Sequence, residues 1–341
     1  MCMRFRHYIT AFITLFLIGC SDFTEPQSKD ISLFNDFLKQ TEVINNSIHV
    51  ESTYDKKSKL FKPVLAIQRK KLAEAEEDLK PLVEKGDPEA MFWMAKIIYR
   101  SSVNDTPKAL NLLQKAAENN PYAAMALFPD NRECQRYFNG FCEDKWIDKA
   151  KKLFIEQSKN GDVRAEFYIE KLKRKHDVYI SAIINAAENN YLYPMVEYAE
   201  KVLLNSNSSS DMKKMAISLL RYGRERQFIP AIDMLMGVEI QSGNKNTEEF
   251  NTLFSEAINL GSNAAWEMMG ISAIKDQSNS NINKYTIAKA IYDFSGDEFA
   301  LAFTKPIENK KDLAIANKKA QEMVDAVEDV IYIDGAHPRQ D

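Results

Sequence analysis

Two stretches of this chain repeat each other letter for letter at a spacing of 70 residues: Ala116-Ala117-Glu118-Asn119-Asn120 and Ala186-Ala187-Glu188-Asn189-Asn190. The positions ahead of them keep register, with Ala109, Leu110 and Leu113 matching Tyr179, Ile180 and Ile183. A second pair, Gly86-Asp87-Pro88-Glu89-Ala90-Met91-Phe92-Trp93-Met94 and Gly161-Asp162-Val163-Arg164-Ala165-Glu166-Phe167-Tyr168-Ile169, shares glycine, alanine and aromatic positions. Looser copies end at Gly161 and, through Phe250, Leu253, Phe254, Ala257 and Ile258, at Gly261. Such units cannot bury their apolar faces alone and must stack on one another. Taking Gly86, Asn120, Gly161, Asn190 and Gly261 as equivalent ends gives steps of 34, 41, 29 and 71 residues, the last covering two units with a boundary near Gln227. The mean step of 35 suits a helix–turn–helix unit.

The punctuation has a chemical reason. Gly and Asn tolerate the left-handed conformation that closes a helix, and Thr106-Pro107 offers an N-cap with a first-turn proline for the next one. Ala90, Ala124, Ala165 and Ala265 each stand four residues after a boundary, where a small side chain permits close crossing. Leu65, Leu72, Ala75, Leu79 and Leu82 fall on one helical stripe. Only 11 Gly and 11 Pro in 341 residues also favour helix over turn-rich β structure.

These residues resemble the Sel-1-like repeat family, a relative of the tetratricopeptide repeats. The second-helix pattern of that family is carried by Lys108-Ala109 through Asn120, and the first-helix pattern by residues 90–99 and by Ala265 with Met269-Gly270. The resemblance covers about residues 63–270 and departs from the family at the inter-helix turns, since residues 101–106 contain no glycine. It implies an all-α helix–turn–helix repeat solenoid with extra helices at both ends, whose concave side offers an extended surface to another protein. The expected repeat array is 63–282, preceded by a segment 31–62 with one helix at 31–38 and a short extended piece at Ile48-His49-Val50. From Asn283 the rhythm is expected to break into a helical cap, 283–341, with short helices at 285–294 and 298–303, an amphipathic helix over 312–330 and a loose end from His337.

The beginning of the chain carries a different signal. Arg4 and Arg6 precede an apolar run over residues 8–18, which is shorter than the roughly 20 residues a membrane-spanning helix needs. Leu17-Ile18-Gly19-Cys20 resembles the bacterial lipobox. That resemblance implies cleavage after Gly19 and acylation of Cys20, and Ser21 favours the periplasmic face of the outer membrane by the lipoprotein sorting rule. Residues 1–19 then read as a signal peptide and 20–30 as a lipidated, polar tether. Losing 1–19 removes two arginines and no acid, which takes the net charge from −4 to −6. A mildly acidic chain is a poor match to nucleic acid or to anionic lipid surfaces, which select basic patches.

Chemistry is sparse. Cys134 and Cys142 stand eight apart in a loop-like stretch, where an oxidising compartment would pair them; free thiols are the alternative. The histidines are His7, His49, His176 and His337, and none has a Cys, His or carboxylate at metal-ligand spacing, so no metal or cofactor is expected. His176, after Lys171-Leu172-Lys173-Arg174-Lys175, reads as a solvated residue between helices. Tyr137, Phe138 and Phe141 lie in an insertion outside the repeat pattern; they are either anchors for a protein partner or a plug folded back on the stack.

The expectation is a lipid-anchored binding protein rather than an enzyme. Its sharper form is an immunity protein that neutralises a secreted toxin, because Sel-1-like lipoproteins are similar to immunity partners of secreted phospholipases. An envelope assembly or regulatory adaptor is the alternative, and a hydrolase on a helical scaffold the third.

Overall fold

The computed structural model describes residues 22–40, 54–99 and 104–338. These residues contain helices and no strand. A first helix, α1 (Asp30–Gln40), precedes the stack. Then come α2 (Phe61–Gln68) with α3 (Leu72–Glu84), α4 (Pro88–Ile98) with α5 (Asp105–Ala116), and α6 (Pro121–Met125), the inserted α7 (Arg132–Tyr137) and α8 (Lys145–Ser158). The order continues with α9 (Val163–Lys171) and α10 (His176–Glu188), α11 (Tyr193–Leu204) and α12 (Ser210–Glu225), α13 (Ile229–Gln241) and α14 (Glu248–Leu260). The last pair is α15 (Asn263–Lys275) and α16 (Asn281–Ser295), followed by α17 (Lys310–Asp325). From α2 onward nearly every helix packs on its successor, while α1 lies against α10 and α12. This is a helix–turn–helix repeat solenoid. The extended piece expected at 48–50 lies outside the described residues.

Helix closure and helix capping occupy consecutive positions. Gly86, Gly161 and Gly261 sit at φ +81°, +83° and +83°, and the next residue in each case caps the following helix. Asp87 accepts from the backbone N–H of Glu89 and Ala90, Asp162 from those of Arg164 and Ala165, and Ser262 from that of Ala265. Each cap satisfies N–H groups that the helix start leaves without an intrahelical partner. Asn190 and Gln227 are also left-handed, at φ 63° and 54°; there the next helices start with Pro194 and Pro230 in the first turn. Asn120 departs from the expected left-handed closer. It is extended at φ −123° and is itself the cap, accepting from Tyr122 and Ala123. Ala90, Ala124, Ala165 and Ala265 are all fully buried, as the crossings require.

Four features differ from expectation. Asp105 already begins α5, so Thr106 is inside the helix and its hydroxyl donates to the Tyr99 carbonyl at 3.0 Å. The rhythm does not break at Asn283: α16 closes at Gly296 (φ +72°), 35 residues after Gly261. Beyond it, residues 298–303 form only a 3-10 turn, Leu301–Phe303. The largest difference is at the end. Asp325 ends α17, and residues 327–338 run back without helix along the first helices of the pairs. We call this segment the strap.

The main core is continuous from Phe34 through the stack to Ile331, Tyr332 and Ile333 of the strap. A second cluster closes the last pair, where Trp266 stacks on Phe294 at 4.4 Å beside Ala320 and Val327. Gly261 is where these parts touch: a Cβ there would stand 2.9 Å from Val327 Cγ1, whereas one at Gly86 would meet nothing within 4 Å. Replacing Gly86 by Ala should therefore cost about 1 kcal/mol of conformational strain. Gly261→Ala should cost about 2–3 kcal/mol because a steric clash is added. Urea unfolding of the two variants measures the difference.

Candidate functional site

The strap fills the inner side of the array. Gln68, 2 % exposed, reads its backbone with both ends of one carboxamide. Nε2 donates to the Val330 carbonyl at 2.8 Å, and Oε1 accepts from Tyr332 N at 2.7 Å. Arg69 pairs with Asp329 at 2.8 Å, and Glu328 N donates to the Asn259 carbonyl at 2.9 Å. The array curls far enough for its first and last pairs to meet directly. Lys70 pairs with Glu267, and the Asn263 carboxamide donates to the Gln68 carbonyl. Further along, Gly335 lies so close to the Tyr122 ring that an added Cβ would approach it to 2.5 Å. A cavity of about 230 Å³ remains beside the strap, lined by Arg164, Asn190, Tyr193, Gln227, Ile229 and Tyr332 among others.

The strap ends in a buried charge cluster. Asp334 accepts from Tyr191 Oη at 3.0 Å, from the backbone N–H of Ala336 and His337, and from His337 Nδ1 at 3.0 Å. His337 Nε2 faces Glu197 Oε1 at 2.9 Å, and its ring stacks on Tyr193 at 3.8 Å. Burial alone would favour the neutral imidazole. The two carboxylates overcome it and raise the His337 pKa to about 9. Burial likewise opposes ionisation of Asp334 and Glu197, but the imidazolium holds both at about 2. Nearby, Asp233 has no such cation: burial pushes it up to about 7 although the Ser262 hydroxyl donates to it at 2.6 Å.

A second histidine holds the other end of the chain. His176 Nδ1 meets the Phe23 carbonyl at 2.9 Å and Nε2 meets Asp30 Oδ1 at 2.8 Å. Asp30, fully buried, also accepts from Tyr198 Oη and from Gln27 N, each at 2.8 Å. Both expectations for these histidines are thereby corrected. His176 is not a solvated linker residue, and His337 does not belong to a loose end. The tether expected over 20–30 is also corrected: from Asp22 onward it is docked, with Phe23 edge-on to Tyr179 at 5.8 Å and Lys201 donating to Thr24 Oγ1.

The residues expected to form a partner site are divided by the structure. Cys134 and Cys142 are joined, with their Cα atoms 5.9 Å apart. Phe138 is buried beside Tyr99, and Tyr137 packs edge-on to the same ring at 5.0 Å, so these two plug the stack. Phe138 cannot reach a partner. Phe141 remains exposed, at 46 %. Cys20 lies outside the described residues. Among the described residues, no group of three or more His, Cys, Asp or Glu side chains could hold a metal ion, and no helix is long and apolar enough to cross a membrane.

No family model matches the chain, and no curated protein does. It is similar to a solved structure of a bacterial protein. That protein is a protective antigen present in uropathogenic Escherichia coli strains, described as displaying an SLR fold; it is 15% identical, with a TM-score of 0.39 over 74% of this chain. The match spans 56% of the antigen's length. The repeat architecture here rests on the chain's own periodicity and packing, and a stack of this kind is a scaffold suited to binding protein.

Sequence reasoning missed the strap, although Val330-Ile331-Tyr332-Ile333 followed by Asp334-Gly335 is a β-branched, aromatic run ending in a turn signal. Its charge cluster has a testable pH signature. The His337 contribution is fully present below its unfolded value near 6.5 and is lost as pH rises through about 9. Those of Asp334 and Glu197 are present above their ordinary values and are lost as pH falls towards about 2. The Asp233 contribution goes earlier: it is present below its ordinary value and is lost as pH rises through about 7. Equilibrium unfolding between pH 6 and 10 should show a decline that is smaller in His337→Gln by on the order of 2–3 kcal/mol. An unchanged decline in the variant would assign it to other groups.

Proposed function

We propose that this protein is a lipid-anchored envelope protein that binds a protein partner, and that in its sharper form it is an immunity protein neutralising a secreted antibacterial effector such as a phospholipase. The lipobox-like Leu17-Ile18-Gly19-Cys20 supports the anchor. The helix-pair scaffold supports protein binding. The strap already fills the inner side, which supports a partner surface on the outside of the array rather than in its concavity.

One observation carries the binding role. The end of the array, from α15 through the turn after α16 to α17, leaves large apolar side chains in water. Phe299 and Phe303 are 58% and 57% exposed, and their rings are 5.0 Å apart. Ile271, Ile282 and Ile315 are exposed as well. The tip is held rigidly: the Asn281 carboxamide donates to the Lys305 carbonyl and accepts from Lys305 N, both at 2.9 Å. Rigid aromatic side chains bury large apolar area at low entropic cost, which suits a protein contact.

Deleting the gene should sensitise cells to a periplasmically delivered effector of neighbouring bacteria, and the wild-type gene should restore survival. Phe299→Ser with Phe303→Ser should fail to restore it while the variant's thermal unfolding stays within about 0.5 kcal/mol of wild type, as for exposed sites. Unaltered survival of the deletion strain would remove the immunity reading. Full protection by the double variant would move the contact surface elsewhere.

A further inference from the structure

We propose that the turn between α9 and α10, with Lys173, Arg174 and Lys175 at its tip, faces the bilayer and binds the anionic phosphates of lipid headgroups, so that the array is held on the membrane in one orientation. The proposal rests on the reading of Cys20 as the lipid attachment point. Its occupant follows from how little chain separates that point from the folded body.

Docking begins at Asp22, whose carboxylate accepts from Thr24 N at 3.1 Å and whose carbonyl accepts from Glu25 N at 2.9 Å. Phe23 is fixed on three sides. Its carbonyl meets His176, its ring packs on Tyr179, and the Arg174 guanidinium lies 5.6 Å above the ring. Three peptide units separate Cys20 from Phe23, and a fully extended chain spans at most about 3.6 Å per residue. An acylated Cys20 at the headgroup level therefore keeps Phe23, with the Arg174 guanidinium 5.6 Å from its ring, on a chain that holds Phe23 within about 11 Å of the bilayer surface. That distance is comparable with the screening length of about 8–10 Å at physiological salt.

The turn has the charge for this contact. Lys171, Lys173, Arg174 and Lys175 place four cations in five residues without an acid, and no other five-residue window of the chain holds as many. Lys173, Arg174 and Lys175 are exposed. Two of them have acidic neighbours: Glu170 lies 2.5 Å from Lys173, and Asp130 lies 3.5 Å from Arg174. The second pair is 70% and 83% exposed. Ion pairs in water contribute little, so headgroup phosphates exchange for them readily. Asp177, at the start of α10, is neutralised by Lys29 at 2.6 Å. The chain left after loss of residues 1–19 is acidic, at −6, which makes an anionic surface select this turn over the rest of the molecule. It also explains the use of an otherwise solvated run of charge immediately ahead of the histidine that anchors the N-terminal segment.

The test uses the mature protein isolated from cells. Intact mass first establishes whether Cys20 is acylated, which decides the anchor reading separately. Lys175→Cys, or Asn279→Cys at the far end of the array, is labelled with an environment-sensitive fluorophore. Vesicles contain phosphatidylethanolamine with or without phosphatidylglycerol, plus a headgroup nitroxide lipid. Quenching at position 175 is expected to exceed that at 279 by about threefold or more, to require phosphatidylglycerol and to fall in high salt. Lys173→Glu with Arg174→Glu should abolish the difference without changing the circular dichroism spectrum. Equal quenching at both positions, indifference to phosphatidylglycerol, or stronger quenching at 279 would overturn the proposal, as would binding of the turn to a protein in place of vesicles. If Cys20 proves unacylated, flotation of the same chain with phosphatidylglycerol vesicles still decides the turn: the charge-reversed variant should lose at least about tenfold in partition.

Discussion

The closed form of this array depends on a single side-chain amide. Gln68 stands at the end of the first helix of the first pair and satisfies the backbone of a segment 262 residues downstream. A solenoid of helix pairs is otherwise held only by contacts between neighbours, and its stability approximates a sum over adjacent units. The amide changes that. It makes the first pair, the last pair and the strap mutually dependent, and the Lys70–Glu267 ion pair and the Gly335–Tyr122 contact fall into place around it. Because Gln68 is almost without solvent, losing either strap bond would leave a desolvated polar group in the core, which costs more than the bond itself is worth.

Burying Ile331, Tyr332 and Ile333 supplies the strap's affinity, at roughly 1.5–3 kcal/mol for each large apolar side chain. The Asp334–His337–Glu197 cluster supplies something else. Ions removed from water recover their desolvation cost only where the geometry is good and the remaining lone pairs are satisfied. Here Asp334 has four donors, and the imidazole lies between two carboxylates. An apolar segment alone could slide along the first-helix row by a residue or two. The charge cluster fixes the register, and the Tyr193–His337 stack fixes the ring. The His176–Asp30 contact does the same for the N-terminal segment, so both ends of the described chain are indexed to the array by histidine.

Repetition made most of the fold legible. Left-handed closers, buried alanines and a 35-residue step are local properties, written where they act, and they locate Gly86, Gly161, Asn190, Gln227 and Gly261 without a structure. The candidate site was much less legible. A histidine in a lysine-rich run and a histidine near the last residues look solvated, because each has a carboxylate partner more than a hundred residues away: 146 for His176 and Asp30, 140 for His337 and Glu197, while Asp334 stands only three residues from His337. The apolar run 330–333 continues a helical stripe well enough to hide its period-two character. Asn120 shows the opposite limit. Its letters match Asn190, yet one caps and the other closes, since Pro121 follows only the first and favours an extended residue before it.

The reach of Gln68 has a consequence in time. Contacts between residues so far apart form only after the intervening chain has been ordered or its closure entropy met, and they slow folding relative to neighbour stacking. The pairs from α2 to α16 can assemble in sequence as they emerge, but the ring cannot shut until the strap arrives. Until the strap docks, the inner face of whatever pairs have stacked stays open. During that interval Tyr122, Tyr191 and Tyr193 are wet and the first-helix row is accessible to other extended segments. Whatever escorts this chain before closure meets a surface that the completed protein no longer presents.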